Sequence, residues 1–414
     1  MFALVDGNNF FVSCERIFRP DLLQKPVAVL SNNDGCIIAR SNEVKALGIP
    51  MGAPVFKYKA AFTAHNVTLF SSNFMLYGDI SRRMMHILST FSPDFQPYSI
   101  DEAFLQFPEN TDTEALGQTI KNTLQKQLGI PISIGFGPTK TLAKVANHLA
   151  KKQGTGVADI AKENLDELLG SLEARDVWGI GRRMADKLLG YGIRTAKQYR
   201  DCDETLLKKL FKTPGLRVQY ELKGQACFEL EESSSTTQSI LSSRSFGQKL
   251  SQKEDLASAL CNNLHSAAKQ LRKQRQCCGG LTVFVMADRF KPTRQVLSAV
   301  VTLPEASQST LVLTQQATQA LDKLFIPGLS YAKSGVMLFD LHPEDEHQQH
   351  LFEPTKPSDK ALMTAMDRIN SKFGSKTLGP ALRLLHGGRW KTNAQQQSPQ
   401  YTTDPNDFRS VRID

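Results

Sequence analysis

Over the first 165 residues the apolar positions come as short β-branched runs separated by segments with helical spacing. FALVD (2–6) reads as a buried strand ending on Asp6, and NNFFVSCERIF (8–18) turns helical. PVAVLS and CIIAR are further short strands, and SNEVKALG (41–48) is a capped helix that stops at a glycine. Residues 73–90 repeat with helical period, YSIDEAFLQF (98–107) reads as two short strands meeting at its acids, and residues 113–128 are helical again. PISIGFG (131–137) is a strand and TKTLAKVANHLAKK (139–152) an amphipathic helix. Strands separated by helices predict a mixed α/β or α+β layer.

The second half changes character twice. Residues 166–228 are helical in pattern throughout, and EESSSTTQS (231–239) has a linker's composition. An ILSSRSFG strand, a helix over 252–274, LTVFVMA, VLSAVVTL, a helix over 308–325 and SGVMLFDL then follow. That order is strand–helix–strand–strand–helix–strand, which predicts a ferredoxin-like split β-α-β domain. From about 342 the chain is polar, with one helical stretch at 359–372. No internal repeat is found.

The 414 residues are enough for two to four domains, and 41% hydrophobic content supports a conventional core. No apolar run reaches the ~20 residues of a membrane span, so no membrane association is expected. The N-terminus, with Asp6 early and no basic region, does not read as a signal peptide. Seven scattered cysteines without zinc spacing, two of them adjacent (Cys277, Cys278), fit a reducing, cytoplasmic setting. Net charge is +9. Residues 115–158 hold six lysines and no acid, and residues 256–304 hold seven basic residues against Asp288. Two basic stretches fit one polyanion held at two places; a solvated lysine-rich surface fits the charge alone equally well.

Inside the apolar YSIDEAFLQF run stand two adjacent carboxylates, Asp101 and Glu102. Successive strand residues face opposite sides, so the two can converge only where the strand stops. Converging carboxylates repel unless a cation lies between them. With Asp6 at another strand end, the set suits a hard cation such as Mg²⁺, which takes a few carboxylates plus substrate phosphate oxygens. Two such ions ~3.5–4 Å apart activate an attacking oxygen and stabilise a leaving one. By itself the Asp-Glu pair fits a charged hairpin tip as well.

The surroundings narrow the choice. DGNNFF (6–11), ARSNEVKALGIPMG (39–52), YSIDEAF (98–104), GPTKTLAKVANHLAKK (137–152) and DVWGIGRR (176–183) occur in this order. Together they resemble the Y-family translesion DNA polymerases. SNNDGCIIAR (31–40), SSNF and LY within 71–77, SRSFG (243–247) and SPQYTT (398–403) resemble the subgroup of UmuC-like catalytic subunits of bacterial DNA polymerase V.

The resemblance implies an α+β right-hand polymerase. Its palm would be residues 1–10 and 72–165, its fingers 11–71 and its helical thumb 166–230. A linker (231–239), a ferredoxin-like little finger (240–342) and a C-terminal tail (343–414) would complete it. Asp6, Asp101 and Glu102 would be the catalytic carboxylates holding two Mg²⁺ ions, with the Gly7 carbonyl as a further ligand. Phe11 would be the steric gate whose ring excludes a ribose 2′-hydroxyl, with Phe10 beside it at the dNTP site. Lys45 and Lys151 would hold the triphosphate, although many relatives carry arginine at position 45 and tyrosine where this chain has Asn42. Ile38 and Ala39 would lie over the nascent base pair. Gly179, Gly181 and Arg182 in a helix–hairpin–helix turn, and Arg244 in the little finger, would contact DNA phosphates.

QQHLF (348–352) fits a Q-x-x-L-F peptide, so Gln348, Leu351 and Phe352 would dock on the sliding clamp. The subgroup also implies a UmuD′-like dimer and a RecA filament as partners, besides primer–template DNA and dNTP. The implied activity is error-prone synthesis across damaged template bases in the SOS response. A nucleotidyl cyclase could share the palm acids, but has no use for basic thumb and little-finger regions. A non-catalytic scaffold on DNA would not need all three acids.

Overall fold

The computed structural model describes residues 1–230, 237–287, 296–345, 359–374, 377–383 and 390–407. Contacts divide the chain into two compact units. The first joins Met1–Ser31, Gly35–Ser234 and Gln396–Asp414; the second joins Asn32–Asp34 with Ser235–Gln395.

In chain order the first unit begins β1 (Phe2–Gly7), α1 (Phe10–Phe18), β2 (Val27–Leu30), β3 (Ile37–Arg40), α2 (Asn42–Ala46), α3 (Val55–Ala64) and β4 (Thr68–Ser71). It continues with α4 (Phe74–Ser89), β5 (Phe95–Pro97), β6 (Glu102–Gln106), α5 (Thr113–Leu128), β7 (Ile132–Gly137), α6 (Lys140–Gln153) and β8 (Val157–Asp159). The main sheet has the order β5-β6-β1-β7-β8, with β1 antiparallel to both neighbours. A smaller sheet, β3-β2-β4, has its own core of Ala28, Leu30, Ile37, Val44, Ile49 and Phe62.

The period-2 rule sorts the residues of β1 between two faces. Ala3 and Val5, with Ala103 and Leu105 of β6, pack with Leu76, Ile80, Met84 and Leu88 of α4 and Ile120 and Leu124 of α5. Phe2, Leu4 and Phe104 cluster instead with Ala143 of α6. Asp6 and Glu102 share this second parity, so both side chains project on the α6 side. The helix can lie this close because Gly135 and Gly137, paired with Leu4 and Phe2, present no side chain there. A Cβ on Gly135 would fall 2.0 Å from the Asn147 backbone N and 2.3 Å from the Ala143 carbonyl oxygen. The Asn147 amide donates to the carbonyls of Ser133 (2.7 Å) and Leu4 (3.3 Å), tying the helix to two strands.

Four helices follow: α7 (Leu165–Ser171), α8 (Arg182–Leu189), α9 (Ala196–Arg200) and α10 (Glu204–Leu222). No strand interrupts them, as their pattern predicts. The buried Glu221 carboxylate of α10 accepts from the Thr141 N–H at 3.0 Å, satisfying one of the free donors at the start of α6.

In the second unit β9 (Ser239–Leu250), α11 (Lys253–Lys273), β10 (Gln276–Ala287), β11 (Val296–Ser307), α12 (Thr310–Leu324) and β12 (Tyr331–Pro343) appear in the predicted order. Their sheet runs β11-β10-β12-β9. The strands of each β-α-β unit are thus parted by one strand of the other, the split arrangement. Its helices pack Leu256, Leu260, Leu264, Leu313 and Leu321 against Leu281, Val283, Val336 and Leu338.

The region expected as one polar tail is divided. Helix α13 (Lys360–Phe373) belongs to the second unit, where Arg272 makes a two-pronged contact with Asp367 at 2.7 and 2.9 Å. Trp390 also joins that core, its ring N–H donating to Ser258 at 3.1 Å. From Gln396 the chain belongs to the first unit. A composition-based reading missed this because a few anchoring side chains, not a hydrophobic run, fix the segment.

All seven cysteines are unpaired. No helix among the described residues is long and apolar enough to cross a membrane.

Gly135→Ala is expected to force α6 off the sheet and destabilise the first unit by ~3 kcal/mol, lowering its calorimetric Tm by roughly 5–10 °C. An unchanged Tm would contradict the close packing.

Candidate active site

Strand register builds the centre of the site. Asp6, next to last in β1, stands opposite Glu102, the first residue of β6. Asp101 sits in the turn before β6, and the Gly7 N–H donates to its carbonyl at 2.9 Å. Asp101 and Glu102 thus fall on either side of the point where the strand begins. The first of the two expected strands lies earlier, at Phe95–Pro97, because Tyr98 to Asp101 are consumed by the turn. Ser99 organises that turn. Its hydroxyl donates to the Asp101 carboxylate at 2.7 Å and accepts from the N–H groups of Asp101 (3.2 Å) and Glu102 (3.0 Å). Gly7 is also sterically required, since a Cβ there would meet the Phe10 ring at 2.9 Å.

Two lysines of α6 meet the acids. Lys151 lies 2.6 Å from Asp6 and Lys144 lies 3.0 Å from Glu102. Burial pushes the Asp6 carboxyl up to about 6; Lys151 opposes that rise, and the nearby Glu102 and Asp101 charges add to it. Among the described residues no three His, Cys, Asp or Glu side chains already stand together as a metal site. The donor chemistry nevertheless fits a hard divalent cation: the ligands are oxygens only, and burial with mutual repulsion is what such a cation relieves.

Lys144 was not singled out in the sequence, although it carries a readable signal. Lys140, Lys144 and Lys151 follow at intervals of four and seven, which places them along one helical stripe. The Lys144 ammonium also lies over the Tyr98 ring at 4.4 Å and near those of Trp178 and Phe104, at 5.7 and 5.9 Å. Trp178 in turn donates its ring N–H to the Tyr98 hydroxyl at 2.9 Å. The Trp178-Gly179 segment is thereby tied to the acidic turn.

A second cationic group faces the site from α2. Burial lowers the Lys45 pKa, and the neighbouring Arg40 and Lys151 charges lower it further. Arg40, in β3, was likewise not foreseen; its guanidinium donates to the Ile49 carbonyl. Asn42 accepts from Asn9 at 3.1 Å and from Lys45 at 3.3 Å, so it orients Lys45 where many relatives were expected to carry a tyrosine.

Phe10 and Phe11 open α1, which Asn9 starts in a left-handed turn (φ 48°). Phe10 is buried in the core; Phe11 is half-buried and stacked on Tyr77, centroids 4.6 Å apart and planes 16° from parallel. Ile38 and Ala39 are adjacent in β3 and therefore face opposite sides; Ala39 is buried, which leaves Ile38 with side-chain surface to offer.

The remaining expected contacts are more dispersed. Gly179 has φ 91°, a left-handed conformation that favours glycine, and Gly181 caps α8, whose first residue, Arg182, is almost fully exposed. In the second unit Arg244 is half-buried, its guanidinium 5.8 Å from the Trp390 ring centroid. Gln348, Leu351 and Phe352 lie outside the described residues, as do Arg289, Lys291 and Arg294 of the second basic stretch.

Comparison with known proteins places this geometry. The impB/mucB/samB family model matches residues 5–148, and the model of that family's C-terminal domain matches 237–351. The chain belongs to the impB/mucB/samB family of Y-family DNA polymerases. A domain of unknown function matches residues 360–411. Protein UmuC of Salmonella typhimurium is 39% identical over the whole of both chains. DNA polymerase IV 1 of Bacillus subtilis is 26% identical over 90% of this chain and 91% of its own. Among solved structures, a Y-family DNA polymerase chimera of Dbh and Dpo4 aligns with a TM-score of 0.68 at 20% identity, covering 83% of this chain and all of its own. The chain therefore has the multidomain Y-family polymerase fold, and its family membership rests on the full-length relatives.

Without divalent metal, the Asp6 carboxyl is expected to titrate near 6 when followed by carboxyl NMR, and higher in Lys151→Met. Because the folded value lies above the unfolded one, this group's stability contribution is full below about 4 and is lost as pH rises through about 6. A midpoint at or below 4 would contradict the burial argument.

Proposed function

We propose that the chain is a translesion DNA polymerase that adds deoxynucleotides across damaged template bases by metal-dependent nucleotidyl transfer. The observation that supports this reading is the pairing of Asp6 with Glu102 at the ends of β1 and β6, with Asp101 in the adjoining turn, beside cations from two other elements. Asp6, Asp101 and Glu102, with the Gly7 carbonyl, would hold two Mg²⁺ ions. Bound there, Mg²⁺ supplies activation of the primer 3′-hydroxyl and stabilisation of the departing pyrophosphate.

The chain's own residues do the rest. Lys151 opposes the rise that burial imposes on Asp6, and Lys144 pairs with Glu102; in the working complex the Lys151 and Lys45 ammonium groups are the point charges for the triphosphate. Phe11, held flat by Tyr77, fills the space a 2′-hydroxyl would need. Ile38 is an aliphatic cover that leaves a roomy base-pair site, suited to a damaged template base. Gly179, Gly181 and Arg182 offer N–H groups and a guanidinium to a DNA phosphate, and Arg244 a second such contact from the little finger. Phosphate contacts suit an enzyme that must read any sequence, and they make binding salt-sensitive.

The relatives named UmuC, SamB, ImpB and MucB support an error-prone, SOS-type role and a UmuD′-like dimer as partner. A RecA filament, the sliding clamp at Gln348, Leu351 and Phe352, and a cytoplasmic location belong to the same proposal. So does the division into palm, fingers, thumb and little finger.

Primer extension past a template abasic site, with Mg²⁺ and dNTPs and with and without a UmuD′-like partner and RecA, tests the reading. Asp101→Asn is expected to lower insertion at least ~10³-fold, the loss of several kcal/mol of transition-state stabilisation. DNA affinity should remain within about threefold. Phe11→Ala should admit ribonucleotides. Full extension by Asp101→Asn would overturn the assignment of the acids. No extension by the wild type under any condition, with DNA bound, would favour a scaffold.

A further inference from the structure

Residues Gln396 to Tyr401 fall within the matched domain of unknown function, and the structure seats them against the small sheet and α1. The Ser71 N–H donates to the Gln396 carbonyl at 3.0 Å, and the Gln396 N–H donates to the Ser71 hydroxyl at 3.0 Å. These bonds extend the edge of the small sheet beyond β4. Tyr401 stacks on Phe18 at the far end of α1, centroids 4.5 Å apart. Between these two anchors lies Ser398, which is 7% exposed.

Ser398 completes a polar chain that ends at the nucleotide site. Its hydroxyl donates to Glu15 Oε1 at 3.0 Å, and the same oxygen accepts from the Tyr77 hydroxyl at 2.6 Å. Tyr77 is fully buried and carries the Phe11 ring on its face. From the other side the Asn73 amide donates to the Ser398 hydroxyl and carbonyl, both at 3.0 Å, while the Asn73 carbonyl oxygen caps α4 through the Leu76 N–H. Phe11 and Glu15 lie four residues apart on α1, hence on one face. Tyr77 is one turn into α4 from Asn73. The two helices that fix the Phe11 ring are thus joined through one carboxylate and one serine from the far end of the chain.

Glu15 is 0% exposed, and its Oε2 has no hydrogen-bond partner among the described residues. Burying a carboxylate is costly, and an apolar pair at positions 15 and 77 would fill the space without that cost. What the carboxylate does provide here is a hydrogen-bonded link between α1, α4 and Ser398 that an apolar pair could not make.

We propose that the Gln396–Tyr401 segment is an intramolecular latch, and that Ser398 is a positioning residue setting the Phe11 ring through Glu15 and Tyr77. The proposal rests on the reading of Phe11 as steric gate. Loss of the latch lets the Phe11–Tyr77 pair tilt, which relaxes exclusion of the 2′-hydroxyl more than it impairs dNTP insertion.

The test is single-nucleotide insertion by the full-length chain, under the conditions that support primer extension, with a dNTP and the matching rNTP. The readout is the ratio of their kcat/KM values. Ser398→Ala should lower the dNTP-to-rNTP ratio about three- to tenfold, with dNTP kcat/KM changed less than about twofold. Ser398→Thr keeps the hydroxyl and should restore the ratio. In a Tyr77→Phe background Ser398→Ala should have little further effect, because the link to the ring is already cut. Phe11→Ala separates the two ideas. If it leaves the ratio unchanged, the gate reading fails and the latch falls with it. If it collapses the ratio while Ser398→Ala matches the wild type, or while Ser398→Ala slows both nucleotides equally, the gate stands and the latch is overturned.

Discussion

Asp6 and Glu102 must be held opposite each other at the end of a sheet, with Asp101 in the adjoining turn and burial raising the Asp6 pKa. That constraint is met by the pairing of β1 with β6, which sets Asp6 opposite Glu102 and brings the Asp101 turn against Gly7. The same pairing buries Leu4 and Phe104 one step further in, so the acids sit at the edge of a rigid apolar surface. A one-residue slip of register would turn both carboxylates into the opposite face, towards α4 and α5. The site is therefore as well defined as the core beneath it.

The cations are delivered by the same packing. Because Gly135 and Gly137 let α6 lie against the sheet, its lysine stripe runs past the strand ends, where Lys144 and Lys151 reach Glu102 and Asp6. Glu221 satisfies the start of α6 from the neighbouring helical region, and Trp178 reaches Tyr98 beside the acids. Helical region, sheet and site are one mechanical object. A change in α10 or in the Trp178 turn can thus reach the carboxylates without touching them.

Much of this could be read from the chain. The apolar run FALVD placed Asp6 at a strand end, alternation allowed Asp101 and Glu102 to converge only at a turn or bulge, and the strand–helix order of the second unit's sheet was legible. What could not be read depended on long-range geometry. The spacing of Lys140, Lys144 and Lys151 shows a stripe on one helix face, but that Lys144 reaches Glu102 appears only when the glycines of β7 bring the helix near. Arg40 stands near Lys45 only through the folding of the small sheet. Ser398 was legible as part of a family-like SPQYTT, but its bond to Glu15 joins residues 383 positions apart. No local pattern predicts such a contact. Ile38 and Ala39 are adjacent in a strand, so alternation turns them to opposite faces and leaves only Ile38 partly exposed.

The central claim is that the acids are gathered to take divalent cations. The most direct measurement is Mn²⁺ binding by electron paramagnetic resonance, with primer–template DNA and a non-hydrolysable dNTP analogue. The account predicts two ions per wild-type chain, with tight binding lost in both Asp6→Asn and Asp101→Asn. Unchanged Mn²⁺ stoichiometry and affinity in those variants would contradict it.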